Sequence, residues 1–358
     1  MKIGLLTFHR AINYGAVLQC YALSEILKQM GHDVYVIDYR QPRVECTDRH
    51  IWSKKEKFGL LRGLHLRSWL FYDHNWHNHE KAEKKFDDFL KKHIKLTKPC
   101  GANTLPADFD AYVIGSDQVW NEYICGGIDA VFWGEFHRPQ NSLLVSYAAS
   151  TSVADMKKNN TLELFRKLNN FTAISVRDDK VACYINANAN LPHPVQTVLD
   201  PTLLGDISIW SKLDIQMSSV NPYVLYFAAR NCNKRPNAVK EKAERLAALM
   251  NCAIETINFG VDTPEQFVAK FKYAKAVVTS SFHGVMLSLI FNRMLFAVQY
   301  NDEQDSRYVN MLLDINAGYM LTSIDCDDEK PYTVDTDTLN MNLHNLRKDS
   351  LKFLSNNL

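Results

Sequence analysis

The opening of the chain constrains the fold more than any other feature. Lys2 to Thr7 is a short apolar run suited to a buried strand. After a loop, Leu23, Ile26, Leu27 and Met30 recur at i, i+3, i+4 and i+7, which gives a helix one apolar face. Gly31 stands where a left-handed C-terminal cap belongs, and Val34 to Tyr39 reads as a second strand. A strand, a helix and a strand in this order imply a right-handed crossover and a parallel sheet.

The alternation continues. Ala111–Ile114, Leu143–Ala148, Ala173–Val176 and Thr197–Leu199 have strand character, most of them before a polar turn. After Asn221-Pro222 it restarts with strands at Tyr223–Phe227, Ala253–Ile257, Ala276–Thr279 and Met294–Val298. Helices are expected at Asn237–Met250, from Thr263-Pro264-Glu265-Gln266 onward, and at His283–Phe291; the second starts with a capping box and a first-turn proline. Leu339, Leu343, Leu346 and Leu354 outline a last helix. With 358 residues, too many for one ordinary core, the pattern predicts an α/β chain of two Rossmann-like domains facing across a cleft. The first spans 1–205 with a helical insertion at about 41–105, the second spans 220–335, and a helix at 336–358 is able to pack back on the first domain.

Composition removes several classes. The net charge of +1 provides no field for nucleic acid. No apolar run reaches the roughly 20 residues that span a bilayer, and the N-terminus lacks signal-peptide shape. Eight cysteines without CxxC pairs read as reduced thiols, which points to the cytoplasm and away from zinc. The insertion is basic and aromatic, with Lys54, Lys55, Lys57, Arg62, Arg67, Trp52, Phe58, Trp69, Phe71, Tyr72 and Trp76. It is either a solvated face or a peripheral contact with a membrane or a lipid-linked substrate. His74, His77 and His79 do not share one helical face, so no metal site is expected there.

In open parallel sheets ligands sit beyond the carboxyl ends of the strands, and four such positions are polar here. Asn13-Tyr14-Gly15-Ala16 opens the first helix, as a ligand contact or as a plain cap and turn. Gly115-Ser116-Asp117-Gln118 follows a strand; Asp117 binds a hydroxyl, acts as a base or caps a helix. Arg177 can grip a carboxylate or phosphate with two prongs, or pair with a neighbouring Asp. Thr279-Ser280-Ser281-Phe282-His283-Gly284 joins a strand to an apolar helix. Its hydroxyls and helix N–H groups suit an anion, and His283 stands beside them. No GxGxxG is present, which argues against a dinucleotide.

Six segments in order then become familiar. Asn13-Tyr14-Gly15-Ala16-Val17-Leu18-Gln19, Val113-Ile114-Gly115-Ser116-Asp117-Gln118-Val119-Trp120-Asn121 and Ser146-Tyr147-Ala148-Ala149-Ser150 resemble the polysaccharide pyruvyl transferase family. So do Ile174-Ser175-Val176-Arg177, Leu199-Asp200-Pro201-Thr202 and Thr279-Ser280-Ser281-Phe282-His283-Gly284. The resemblance implies a GT-B-like fold and transfer of the enolpyruvyl unit of phosphoenolpyruvate onto two sugar hydroxyls as a ketal. It implies His283 as acid and Arg177 as anion clamp, with Ser280, Ser281 and Gly284 at the donor. Asn13, Tyr14, Gly15, Gln19, Ser116 and Asp117 would serve a nucleotide- or lipid-linked sugar. Neither a redox cofactor nor a metal is implied. Members that resemble this chain carry Arg-Leu-His or a similar triplet before the glycine; here it is Ser281-Phe282-His283, which makes Arg307 a candidate for the displaced charge. A sugar-nucleotide glycosyltransferase and a catalytically silent glycan-binding homologue are the rival expectations.

Overall fold

The computed structural model describes residues 1–44, 66–158, 161–213, 221–228, 235–300, 305–327 and 329–358. The chain divides into two compact units, Met1–Pro201 with Ser350–Leu358, and Thr202–Asp349.

In the first unit the strands are β1 (Lys2–Leu6), β2 (Asp33–Val36), β3 (Ala111–Ile114), β4 (Leu143–Ala149), β5 (Ala173–Val176) and β6 (Gln196–Thr197). Among the described residues they form one sheet in the order β2-β1-β3-β4-β5-β6, with every pairing parallel. Ala111 to Ile114 and Leu144 to Ala149 are buried, as continuous apolar runs between two helical layers require. The last strand starts one residue and ends two residues earlier than the sequence pattern indicates. Val198 still donates its N–H to Val176 O, but the Leu199 N–H turns away to Ser350 Oγ at 2.9 Å, so the ladder ends.

Helix α1 (Tyr14–Gln29) is buried from Tyr14 to Leu27, not on one face only. Its extra cover comes from α2 (Leu66–His93) in the insertion. Ala82, Phe86, Phe89 and Leu90 recur at i, i+4, i+7 and i+8 and are all buried. Phe86 lies 5.1 Å from the Tyr14 ring and Phe89 lies 5.9 Å from Tyr21. This part of the insertion is packed, while Trp52, Lys54, Lys55, Lys57, Phe58 and Arg62 lie outside the described residues. Helix α3 (Asp179–Asn188) follows β5 and buries Val181, Ala182 and Ile185.

The second unit holds β7 (Tyr223–Phe227), β8 (Ala253–Thr256), β9 (Ala276–Thr279), β10 (Met294–Gln299) and β11 (Leu321–Ser323). Among the described residues they are parallel in the order β11-β10-β9-β7-β8. Between them run α4 (Ala238–Met250), α5 (Pro264–Tyr273), α6 (Phe282–Ile290) and α7 (Ser306–Asp314). The start of α5 is the expected reciprocal cap: Thr263 Oγ1 accepts the Gln266 N–H at 3.2 Å, and Gln266 Oε1 accepts the Thr263 N–H at 2.8 Å. Phe267 and Phe271 are fully buried and contribute about 2–3 kcal/mol each. Lys242 of α4 is also fully buried, paired with Glu329 and the Cys326 carbonyl.

The last helix, α8 (Thr336–Asn357), buries Leu339, Leu343, Phe353 and Leu354. Its residues up to Asp349 group with the second unit and those from Ser350 with the first. Among the described residues no helix is long and apolar enough to cross a membrane.

Candidate active site

At the carboxyl edge of the first sheet, three polar side chains close a ring. Gln19 Nε2 donates to Thr7 Oγ1 at 2.8 Å and to Ala16 O at 2.8 Å. Ser116 Oγ donates to Gln19 Oε1 at 2.9 Å, and Thr7 Oγ1 donates to Ser116 O at 2.9 Å. Gln19 and Ser116 are 0% exposed, so in this structure they hold the edge instead of lining its surface. Asn13 is exposed, and its Oδ1 accepts the Ala16 N–H at 3.2 Å as the cap of α1. Tyr14 and Gly15 are buried in the first turn of that helix.

The ring fixes the chain on either side of the Gly115–Ser116 bond, which is cis. Gly115 has φ +115°, and a Cβ there would stand 2.2 Å from Tyr147 O. Asp117 has φ +73°, unusual for a side chain other than glycine. Its carbonyl accepts the Ser150 N–H at 2.8 Å, and its Oδ1 accepts the Gln118 N–H at 2.8 Å. The next short helix, Glu122–Cys125, is capped by Asn121, so Asp117 is not a helix cap. Its carboxylate stays partly exposed at the strand end.

Arg177 leaves β5 and donates to Asp200 Oδ2 at 2.9 Å and to Ser150 Oγ at 3.3 Å. The Arg177 and Asp200 side chains are 8% and 1% exposed. The salt-bridge alternative is therefore present, and any anion at Arg177 has to share it with Asp200. Beside them Thr151 Oγ1 is buried with no hydrogen bond among the described residues. A polar group in that state is a candidate ligand contact. Nothing in the residue pattern singled it out.

A second cluster lies outside the four strand-end segments. Asp38, after β2, receives His9 Nε2 at 3.1 Å, Arg10 Nε at 2.7 Å, Arg10 Nη2 at 2.6 Å and Arg40 Nη2 at 3.2 Å. Burial pushes the Asp38 carboxyl up, but the hydrogen bonds from His9 and Arg10 outweigh it and hold the group well below the usual range. Arg10 reaches on to Asp87 of α2 at 2.8 Å. The signal was available, since Thr7-Phe8-His9-Arg10 and Asp38-Tyr39-Arg40 place charges directly after two buried strands.

In the second unit, β9 runs into α6 through Thr279-Ser280-Ser281. Thr279 Oγ1 donates to Phe227 O at 2.6 Å and accepts the Ser281 N–H at 3.0 Å. Ser281 Oγ accepts the Gly284 N–H at 3.3 Å, so this hydroxyl caps α6. A Cβ on Gly284 would come within 2.6 Å of Thr279 Oγ1, which explains why a glycine stands there. His283 lies in the first turn, partly exposed, edge-to-face with Phe282 at 5.2 Å. Ser280 Oγ instead meets the phenol of Tyr300, just beyond β10, at 3.1 Å. Arg307 is partly exposed in the first turn of α7. Ser280, Ser281, His283 and Gly284 thus share one junction, while Arg307 sits on the helix after the next strand.

Two α/β units with parallel sheets, each with polar residues where its strands end, define the class: a two-domain Rossmann-like protein. The profile of the polysaccharide pyruvyl transferase family matches residues 13–302, and the chain belongs to that family. No curated protein matches it. Among solved structures, it resembles the UDP-GlcNAc 2-epimerase from Methanocaldococcus jannaschii at 10% identity and a TM-score of 0.45, over 96% of this chain and 92% of that one. A UDP-N-acetylglucosamine 2-epimerase from Listeria monocytogenes, named as such provisionally, gives 12%, 0.44, 100% and 91%. The spinosyn forosaminyltransferase SpnP gives 13%, 0.39, 98% and 95%. Likeness at this level concerns the course of the chain and says nothing of substrate.

Proposed function

We infer that the protein transfers the enolpyruvyl unit of phosphoenolpyruvate to a sugar of a cell-surface polysaccharide or its precursor, leaving a cyclic ketal. The observation that carries this reading is the β9–α6 junction. Inside the family-matched segment it sets a partly exposed His283 in the first turn of a helix whose N-terminus favours a phosphate.

The chemistry follows from the residues. His283 gives a proton to the methylene carbon of phosphoenolpyruvate, which becomes a methyl group, and C2 becomes electrophilic. One sugar hydroxyl adds to C2 and releases its proton. The C2–O bond to phosphate breaks, phosphate departs, and a neighbouring hydroxyl closes the ketal with loss of its own proton. One of the two released protons restores His283; the other leaves with phosphate or solvent. In the first unit Asp117 orients or deprotonates an acceptor hydroxyl and Arg177 is a cation for an anionic group; in the second, Arg307 meets the donor's negative charge. The acceptor is a nucleotide- or lipid-linked sugar, and the setting is cytoplasmic.

Phosphate release from phosphoenolpyruvate, measured against a panel of nucleotide- and lipid-linked sugars, tests the reading directly. His283→Ala should lower turnover by about 10²–10⁴ with the fold intact and donor binding much less affected. A folded variant that works at the parental rate removes His283 from the mechanism. Turnover of a sugar nucleotide, with no response to phosphoenolpyruvate, would favour a glycosyltransferase.

A further inference from the structure

The second unit holds a pocket of about 410 Å³ at the far end of α6. Ile290 is the last residue of that helix and Asn292 follows it, so the pocket stands beside the start of β10. The Ser281 cap lies at the other end of the helix, whose nine residues rise roughly 14 Å. Helix α8 supplies Leu343 and Arg347, and Asp206 and Ile207 come from the segment that opens the unit.

Three polar groups of this pocket are fixed in place and keep bonding capacity. Arg347 Nε donates to Leu203 O at 2.7 Å and Nη2 to Gly205 O at 3.2 Å. Among the described residues its Nη1 makes no hydrogen bond and the guanidinium forms no ion pair. Burial lowers the Arg347 pKa, and the charge of Asp206 offsets this only in part. Asn292 has φ +54°, the left-handed position at which α6 ends, and the next N–H, of Arg293, bonds Ser288 O at 2.8 Å. That accounts for its backbone. Its side-chain Oδ1 is buried with no hydrogen bond among the described residues, a state in which a polar group calls for a partner. Asp206 Oδ1 accepts the N–H and the hydroxyl of Ser208 at 2.9 and 2.5 Å, which holds its carboxylate still, and a carboxylate has lone pairs for further donors.

We propose that this pocket is a binding site for a carboxylated sugar, separate from the β9–α6 junction. Arg347 offers a charged N–H to the carboxylate, while Asn292 Oδ1 and Asp206 accept from sugar hydroxyls. Ile207, Ile290 and Leu343 form an apolar wall suited to the C–H face of a sugar ring. A neutral sugar leaves the guanidinium without its anion, and a small anion leaves the wall and the acceptors unused. No Phe, Tyr or Trp lines the pocket, so a nucleobase has nothing to stack on. A volume of this size lies in the usual range of small-molecule sites. The site does not depend on which reaction the chain performs.

The test is calorimetric titration of the full-length protein with glucuronate, glucose, acetate and inorganic phosphate. The parent should bind glucuronate, and the other three at least about tenfold more weakly, since each lacks one part of the match. Arg347→Gln should lower the affinity for glucuronate by about 10- to 100-fold, as expected for a hydrogen bond to a charged group. Asn292→Gly keeps a residue that suits the left-handed backbone, and should lower it by about 3- to 10-fold with the melting temperature unchanged. His283→Ala and Asp117→Asn, at the two sheet edges, should bind glucuronate as the parent does. A parent that does not bind glucuronate, or binds glucose, acetate or phosphate equally well, overturns the proposal. Full affinity in either pocket variant overturns it too, as does a loss in His283→Ala or Asp117→Asn, which would move the ligand to the candidate active site. Should Arg347→Gln not fold, Asn292→Gly decides alone.

Discussion

At the carboxyl edge of the first sheet, Thr7, Gln19 and Ser116 bond to one another and are at most 4% exposed. At the corresponding edge of the second, His283 and Tyr300 remain partly exposed beside Ser280. Both edges are polar, but in the first the polarity shapes a backbone that presents Asp117. In the second, Thr279 and Ser281 likewise serve the backbone and Ser280 is buried with them, but His283 and Tyr300 remain partly exposed at the helix start. Polar composition at a strand end therefore does not distinguish a group that touches a ligand from one that holds the group that does.

The sharpest way to break this contrast is at the glycines. Gly115→Ala places a methyl group 2.2 Å from a backbone oxygen at a positive φ, so relief requires β4 to move. We expect a loss of about 4 kcal/mol or more, seen as a collapse in melting temperature or in folded yield. Gly284→Ala meets the Thr279 hydroxyl at 2.6 Å, with Phe271 Cζ and Ser281 Cβ at 3.3 Å, all side-chain atoms, and should lose about 1–3 kcal/mol. Equal losses would mean that the first edge is no more rigid than the second.

A smaller effect comes from the ring itself. Gln19→Leu keeps the volume but leaves the Ser116 hydroxyl without its acceptor in a buried site and removes the bond that Thr7 Oγ1 accepts, which predicts a loss of about 1–3 kcal/mol. Urea unfolding should show it as a lower midpoint with an unchanged slope. Ser280→Ala at the second edge should change stability by less than about 1 kcal/mol. A Gln19→Leu protein as stable as the parent would show that the ring does not support the edge.

The last effect is a pH dependence confined to the first unit. The folded Asp38 carboxyl titrates below its usual value, so the unfolded chain takes up that proton more readily. The stabilisation is complete above about pH 4 and is lost as the pH falls through the depressed folded value. Asp38→Asn should have a lower melting temperature at neutral pH and a flatter decline in acid. A parallel decline in parent and variant would assign the acid sensitivity to other carboxylates.

Much of the fold was legible because buried strands and amphipathic helices leave a local period. Tyr223–Phe227 and Ala276–Thr279 carry theirs in consecutive apolar residues, and Thr263 to Gln266 states a helix start outright. The pattern was misleading where burial came from a distant segment. Nothing local in α1 tells that Phe86 and Phe89, 72 and 68 residues beyond their partners Tyr14 and Tyr21, cover its outer face. Leu321–Ser323 leaves no local signal because an edge strand of three half-buried residues has no apolar run to show. The candidate site divided in the same way. His283 and Ser280 stand on one continuous strand-to-helix junction and could be read together, whereas Tyr300 joins them through strand pairing, a relation between residues 20 apart.

The cap at Ser281 sets a trade at that position. An arginine there would bring a charge beside the histidine, but a guanidinium cannot accept the Gly284 N–H as Ser281 Oγ does. Losing such a cap costs a helix start about 1 kcal/mol. Position 281 therefore holds either local order or charge, and threonine, asparagine and aspartate are the replacements that keep an acceptor in reach of the helix.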